Sequence, residues 1–261
     1  MIITDQLDRV LNIIKPCTKI VSLVPSISEL LVDLGLEDQL VGVTKFCVHP
    51  QSLKESKTII GGTKNIKLEK IKALKPDLII ANKEENEKDQ VNSLFDLCPV
   101  YLSDISTIND TLKLINDLSM LCGCQPDAVY VKSQIDDTKP SCIFKGEKVL
   151  YLIWKDPYMT VGGDTYINYI LNQLGLENVY QDQDRYPQLT IDELKQRDID
   201  YIFLSSEPFP FSAKHMGELQ VKLPKIKAVL VDGEAFSWYG SRLIHMKGYF
   251  ESLHDSLMKG S

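Results

Sequence analysis

At 261 residues, with a net charge of −7 and 44% hydrophobic and 25% charged residues, the chain has room for one large domain or two with separate cores. Acids and bases are interspersed along it, which excludes the clustered Lys and Arg surface of a nucleic-acid partner. No stretch approaches the roughly 20 apolar residues that span a bilayer.

The first nine residues carry acids where an export leader starts basic, and no apolar core follows, so the sequence as written is expected to lack an export address. Strand-length apolar runs then recur at 20–24, 40–43, 78–81, 100–102, 149–153, 201–204 and 229–231. They are continuous rather than alternating, the pattern of strands covered on both faces. Helical segments separate them, which predicts parallel sheets in an α/β fold. Ser26 with Glu29, Thr107 with Asp110 and Thr190 with Glu193 have the capping-box spacing, and Gly35, Gly175 and Pro76 stand where helices should end. Residues 107–122 form one amphipathic pattern, continued after a break near Gly123 to Pro126 through 129–135. The expected architecture is two related parallel-sheet α/β lobes joined by a single long helix: an N-terminal lobe 1–105, a helical spine 106–136 and a C-terminal lobe 137–261.

An internal repeat supports two related lobes. Residues 68–84 and 191–207 align without a gap at an offset of 123, pairing Glu69 with Asp192, Ile71 with Leu194, Lys72 with Lys195, Asp77 with Asp200 and Glu84 with Glu207. Leu34-Gly35-Leu36-Glu37 recurs as Leu174-Gly175-Leu176-Glu177 at an offset of 140, so the first half carries 17 extra residues between the two echoes. A period this long is not a solenoid's.

Open α/β sheets bind ligands beyond the carboxyl ends of their strands. The strand-end loops supply Phe46, His49, Lys64, Glu84 and Asn86 in the first half, and Trp154, Tyr158, Tyr186, Glu207, Asp232, Trp238, Tyr239 and Arg242 in the second. Aromatics in such loops suit a ligand with flat or apolar faces and a few polar handles; simple burial is the alternative for Trp154 and Trp238. Cys47 and His49 offer two metal-ligand types on one side of an extended segment, to which Glu84, Glu207, His215 or Asp232 could add, although a structural role is the simpler account. Glu84 with Glu207 also has the form of a catalytic carboxylate pair, which duplication explains without catalysis. No Walker loop, nucleophile elbow or dinucleotide fingerprint is present, and no catalytic residue is assigned. The six cysteines lack zinc-finger spacing and are expected as free thiols.

Ile20-Val21-Ser22-Leu23-Val24-Pro25-Ser26 with Glu29-Leu30, then Val41-Gly42-Val43-Thr44, then the run from Leu68-Glu69-Lys70-Ile71 through Leu74-Lys75-Pro76-Asp77 to Ala81, resemble the substrate-binding proteins of cobalamin and ferric-siderophore ABC importers. These are periplasmic binding proteins of the helical-backbone metal-receptor type. The resemblance implies a bilobed monomer that holds a metal chelate, cobalamin or a ferric siderophore, in a shallow cleft between its lobes. It implies binding without catalysis, no resident cofactor, a periplasmic address and delivery to an ABC permease dimer. Cleft aromatics would fall on Phe46 and Tyr186, with Trp154 beside another, and the acids that dock on permease arginines would fall on Glu69 and Asp192. A narrower group resembles this chain at 44–50, 81–86 and 236–242. Its polar set, Lys45, His49, Lys64, Lys83, Glu84, Asn86, Glu207, Asp232 and Arg242, suggests a ligand more charged than a bare corrinoid face. An intracellular carrier or sensor of the same fold is the alternative suggested by the N-terminal residues and free thiols.

Overall fold

All seven apolar runs become strands. The computed structural model describes residues 1–259 and distributes them over two units, one built from Met1–Asp137 with Tyr239–Ile244, the other from Thr138–Trp238 and the chain from His245 onward.

The first unit begins with an antiparallel hairpin, β1 (Ile2–Thr4) and β2 (Val10–Asn12). There follow β3 (Ile20–Ser22), α1 (Pro25–Asp33), β4 (Leu40–Val43), α2 (Leu53–Ser56), β5 (Thr58–Ile59) and a small hairpin of β6 (Gly61–Gly62) and β7 (Asn65–Ile66). Next come α3 (Leu68–Leu74), β8 (Leu78–Asn82), α4 (Lys88–Asn92), β9 (Val100–Ser103), α5 (Ile108–Cys122) and α6 (Gln125–Thr138). Its sheet has the order β5-β4-β3-β8-β9, parallel throughout. Every residue of β3, β8 and β9 is buried, as the continuous apolar runs require. Val21, Leu23, Ile60, Ile71, Ile79 and Leu94 form one core cluster with their neighbours.

The second unit contains β10 (Lys148–Trp154), β11 (Tyr158–Thr160), α7 (Tyr166–Leu174), β12 (Glu177–Asn178), β13 (Gln188–Leu189), α8 (Ile191–Leu194), β14 (Tyr201–Ser205), α9 (Ala213–Lys222), β15 (Lys227–Val231), α10 (Gly233–Ser237) and α11 (Leu243–Met258). Here β12, β10, β14 and β15 are parallel neighbours in that order, while β11 and β13 add antiparallel at the far end of β10. Leu150, Leu152, Ile202, Leu204 and Leu219 anchor its core.

The repeat is therefore topological as well as sequential. The set β4-β3-β8-β9 and the set β12-β10-β14-β15 have the same strand order, and β8 and β14 are both five residues long at the 123 offset. Gly35 (φ 71°) and Gly175 (φ 86°) are both left-handed residues just past their helices, a conformation cheap only without a Cβ.

Four sequence expectations need correction. Thr107 and Thr190 do cap α5 and α8 in complete capping boxes, but Ser26 does not cap α1: Pro25 takes the first turn, Val24 is the cap residue, and Glu29 is left for another partner. The connecting helix is two helices, α5 and α6, because Gly123 at φ 76° ends the first. Residues 106–136 also belong with the first unit instead of forming a separate spine. The α5 face of Leu114, Ile115, Leu118 and Leu121 is fully buried, and Asp117 accepts from Tyr101 Oη at 2.6 Å. Tyr239–Ile244, assigned by sequence to the C-terminal lobe, likewise joins the first unit.

Candidate functional site

In the first unit, Thr44 organises the loop after β4. Its Oγ1 accepts from the Phe46 amide at 3.3 Å and its carbonyl from the Cys47 amide at 3.2 Å, the turn that a threonine hydroxyl favours. This folds Cys47 inward, with Sγ 3.1 Å from Ser28 Oγ. Burial raises the pKa of that thiol, so Cys47 is a packed, unreactive thiol instead of a metal ligand. His49 is half-buried and close enough to act on Glu29. Among the described residues no group of three or more His, Cys, Asp or Glu could hold a metal ion. The same turn sends Lys45 and Phe46 outward, leaving Phe46 48% exposed with Lys45 Nζ 4.9 Å from its ring centre.

Two asparagines shape the loop after β8. Asn82 Oδ1 accepts from the amides of Glu84 and Glu85 at 2.8 and 3.1 Å. Asn86 Oδ1 accepts from the Asn82 amide at 2.8 Å, and its Nδ2 donates to the carbonyls of Leu23 and Thr63 at 3.2 and 2.9 Å. Asn86, expected from sequence as a ligand contact, is a buried staple of this loop. Glu84 is half-buried, and Lys64 is exposed with Nζ 3.7 Å from Glu87.

Residues 236–242 divide between the two units. In the second, Ser237 Oγ and Trp238 Nε1 both donate to Glu207 Oε1, at 2.7 and 3.1 Å. Burial raises the Glu207 pKa against those two bonds. Trp238 is buried, and Glu207 acts as a fastener inside its own unit. In the first unit, Tyr239 Oη donates to Glu85 Oε1 at 3.0 Å, and Arg242 makes a two-point ion pair with Glu29, Nη2 to Oε1 at 2.6 Å and Nε to Oε2 at 3.0 Å. Burial raises the Glu29 pKa, with Arg242 and His49 pulling the other way. Glu29 was missed as a site residue because its capping-box spacing offered a role. The available signal was a carboxylate amid Ile27, Leu30 and Leu31, which needs a buried cation.

Tyr158 lies in the core of the second unit, and Asp232 caps α10 by accepting from the Glu234 amide at 3.0 Å. Aromatics stay open at the strand-end loops beside the exposed Lys45, Lys64, Lys83 and Asp232. Trp154, at the end of β10, is 42% exposed and edge-on to Phe209; Tyr186 is 38% exposed, with Arg185 Cζ 5.9 Å from its ring centre. Glu69 and Asp192, predicted as docking acids, project from the first turns of α3 and α8 with side chains 84% and 86% exposed. Each pairs with the lysine three residues on, Lys72 at 2.9 Å and Lys195 at 2.8 Å.

The sequence model of the family described as periplasmic binding protein matches residues 20–223. The chain belongs to that family. The match runs from the first residue of β3 to the C-cap residue of α9 and takes in the first parallel sheet and the second except β15. An uncharacterized ABC transporter substrate-binding lipoprotein of Bacillus subtilis (strain 168) is 31% identical over 201 residues, which make up 72% of this chain and 63% of that relative. The chain thus spans somewhat less than two thirds of that relative's length. A vitamin B12-binding protein of Vibrio campbellii (strain ATCC BAA-1116) is 27% identical over 197 residues, 73% of this chain and 71% of the relative. Among solved structures, a periplasmic heme-binding protein from Roseiflexus sp. RS-1 aligns with a TM-score of 0.78 at 17% identity, covering 92% of this chain and 98% of the other, and so shares the fold. The family and these relatives are described as binding proteins.

Proposed function

We propose that this periplasmic binding protein captures a metal chelate, a corrinoid or a ferric siderophore, and delivers it unchanged to an ABC importer. The observation that carries the reading is the exposure of Phe46, Trp154 and Tyr186 at the carboxyl ends of parallel strands. Large aromatics left open in strand-end loops, while Tyr158, Trp238 and Tyr239 are buried, supply flat apolar contact where α/β sheets take ligands. The curated relatives support the chelate class: one is a vitamin B12-binding protein and another an ABC transporter substrate-binding lipoprotein. Glu69 and Asp192, one on each unit at equivalent repeat positions, are the proposed contacts to the permease.

Native mass spectrometry after incubation with corrinoids, ferric siderophores, haem and free divalent metals tests this reading. The expected result is a one-to-one adduct of an intact chelate, recovered chemically unaltered. Adducts of bare metal alone, or none across the panel, would overturn it.

A further inference from the structure

Helix α3 opens the first of the two repeat segments and α8 the second, and the offset of 123 sets their caps side by side. In the second unit Thr190 and Glu193 close the start of α8 in a complete capping box. The corresponding residues of the first unit are Lys67 and Lys70, and Lys67, the N-cap residue of α3, makes no side-chain cap bond. Helix α3 therefore starts without the reciprocal bonds of its counterpart, and with two cations at the end of the helix dipole that disfavours them. Lys75 is a third departure. It ends α3 at φ 50°, in the left-handed region where glycine costs least, and its counterpart is Asp198. Three lysines thus replace a threonine and two acids, each against a local preference. Residues that break local rules in this way are expected where a function retains them.

These lysines belong to one crowded basic surface. Lys64, Lys67, Lys70, Lys72 and Lys75 are all exposed, and Glu69 is the one acid between them in the chain. The seven residues of α3 span about 10 Å, close to the Debye length at moderate salt, so the charges act together. Lys64 lies 3.7 Å from Glu87 and Lys72 2.9 Å from Glu69. Lys70 Nζ donates to the Ile59 carbonyl at 3.0 Å, which leaves its charge uncompensated. Among the described residues Lys67, Lys70 and Lys75 have no carboxylate partner. The chain-wide net charge of −7 conceals this local excess.

The composition of the surface points to its partner. Every cation from 64 to 75 is lysine, and no large apolar side chain is exposed between Phe46 and Phe95 in the chain. Protein partners are held by arginine forks and apolar anchors. Flexible point charges without either suit a diffuse negative surface, and anionic lipid headgroups form one, to which each nearby lysine adds a similar increment.

We propose that the lysines around α3 form a membrane-facing surface that docks on the anionic phospholipid headgroups of the bilayer holding the importer. The proposal extends the importer reading from the permease to the lipid around it, and vesicles free of permease test it apart from that reading.

The test is co-sedimentation of the whole protein with vesicles of phosphatidylcholine alone, or of phosphatidylcholine mixed equally with phosphatidylglycerol, at low and high salt. The protein should bind the mixed vesicles at low salt, leave them as salt screens the charges, and ignore phosphatidylcholine. Lys67→Gln, Lys70→Gln and Lys75→Gln should each weaken that binding about fivefold, and the triple variant on the order of a hundredfold, with chelate affinity unchanged. Lys67→Thr with Lys70→Glu separates binding from folding, because it rebuilds in α3 the capping box of α8. Its urea midpoint should rise while vesicle binding is lost. Equal binding to both vesicle types, binding to neither, or full binding by the triple variant would overturn the proposal and leave chelate capture standing. If vesicles are not bound and the triple variant also loses association with the permease in neutral detergent, the surface belongs to an acidic protein face instead.

Discussion

Arg242 and Glu29 stand 213 positions apart, yet Arg242 is the strongest charge compensation that the Glu29 carboxylate receives in a largely dry setting, with side chains only 12% and 10% exposed. Breaking such a pair leaves one charge buried. Arg242→Ala should cost about 3–5 kcal/mol near neutral pH by urea unfolding. The cost should shrink in acid, because the stranded Glu29 carboxyl, whose pKa burial already raises, takes up a proton instead of staying charged. Replacing both residues by leucine should recover much of the loss. Glu207 makes the opposite pH argument testable. Its folded-state pKa lies above the unfolded value of about 4.3, so between the two values the native state binds more proton than the unfolded state, and stability falls as pH rises. The stabilising contribution is complete below the unfolded pKa and is lost through the raised folded one. Glu207→Gln, which still accepts from Ser237 and Trp238, should flatten that part of the profile in urea midpoints taken across the acid range. An unaltered slope would mean that another group titrates there. Asn86 and Glu207 lie in loops that follow strands, whereas Trp238, Tyr239 and Arg242 lie between α10 and α11, and the sequence could not say which way each side chain turned. The deciding partners, Leu23, Ser237, Glu85 and Glu29, are mostly distant along the chain, and no periodicity encodes them.

Elements were more legible than side-chain roles because burial on both faces writes itself into a strand as an unbroken apolar run. The two- and three-residue strands β5, β6, β7, β11, β12 and β13 left no such trace, since a run that short is indistinguishable from a loop. Caps were legible where the threonine and its acid had no competing partner, as at Thr107 and Thr190. They misled at Ser26, where Pro25 fixed the helix start and Arg242 claimed the acid. Two substitutions separate an element's stability from its use. Thr107→Ala removes the α5 cap and should cost about 1 kcal/mol in denaturant unfolding without altering chelate affinity. Gly162→Ala drives a Cβ into the Gln183 carbonyl oxygen, 2.3 Å away, so the chain that displays Arg185 and Tyr186 must move. Chelate affinity should then fall well beyond any loss of stability; an affinity kept intact would show that this loop's position is immaterial to binding.

On the scale of the molecule, the repeat gives each unit the same strand order and places one exposed acid on the helix preceding each equivalent buried strand. Glu69 and Asp192 precede β8 and β14 at matching positions, and the lysine partner is duplicated with them, Lys72 and Lys195 lying one turn on. Two equivalent acids suit a partner that is itself two-fold symmetric and basic, as the proposed permease dimer would be. The attached lysines make the expectation sharper, because each ion pair must open or be shared when a partner cation arrives. Charge reversal at both acids, Glu69→Lys with Asp192→Lys, should abolish salt-sensitive association with the reconstituted permease and leave chelate affinity unchanged, since neither residue lies in the ligand-facing loops. Each single reversal should remove a similar share of the association free energy if the two sites are equivalent. Lys72→Gln with Lys195→Gln should act in the other direction, strengthening association at low salt by freeing both carboxylates. Undiminished association of the double reversal would place docking elsewhere on the chain, and a loss confined to one acid would mean that the repeat's symmetry is not used by the partner.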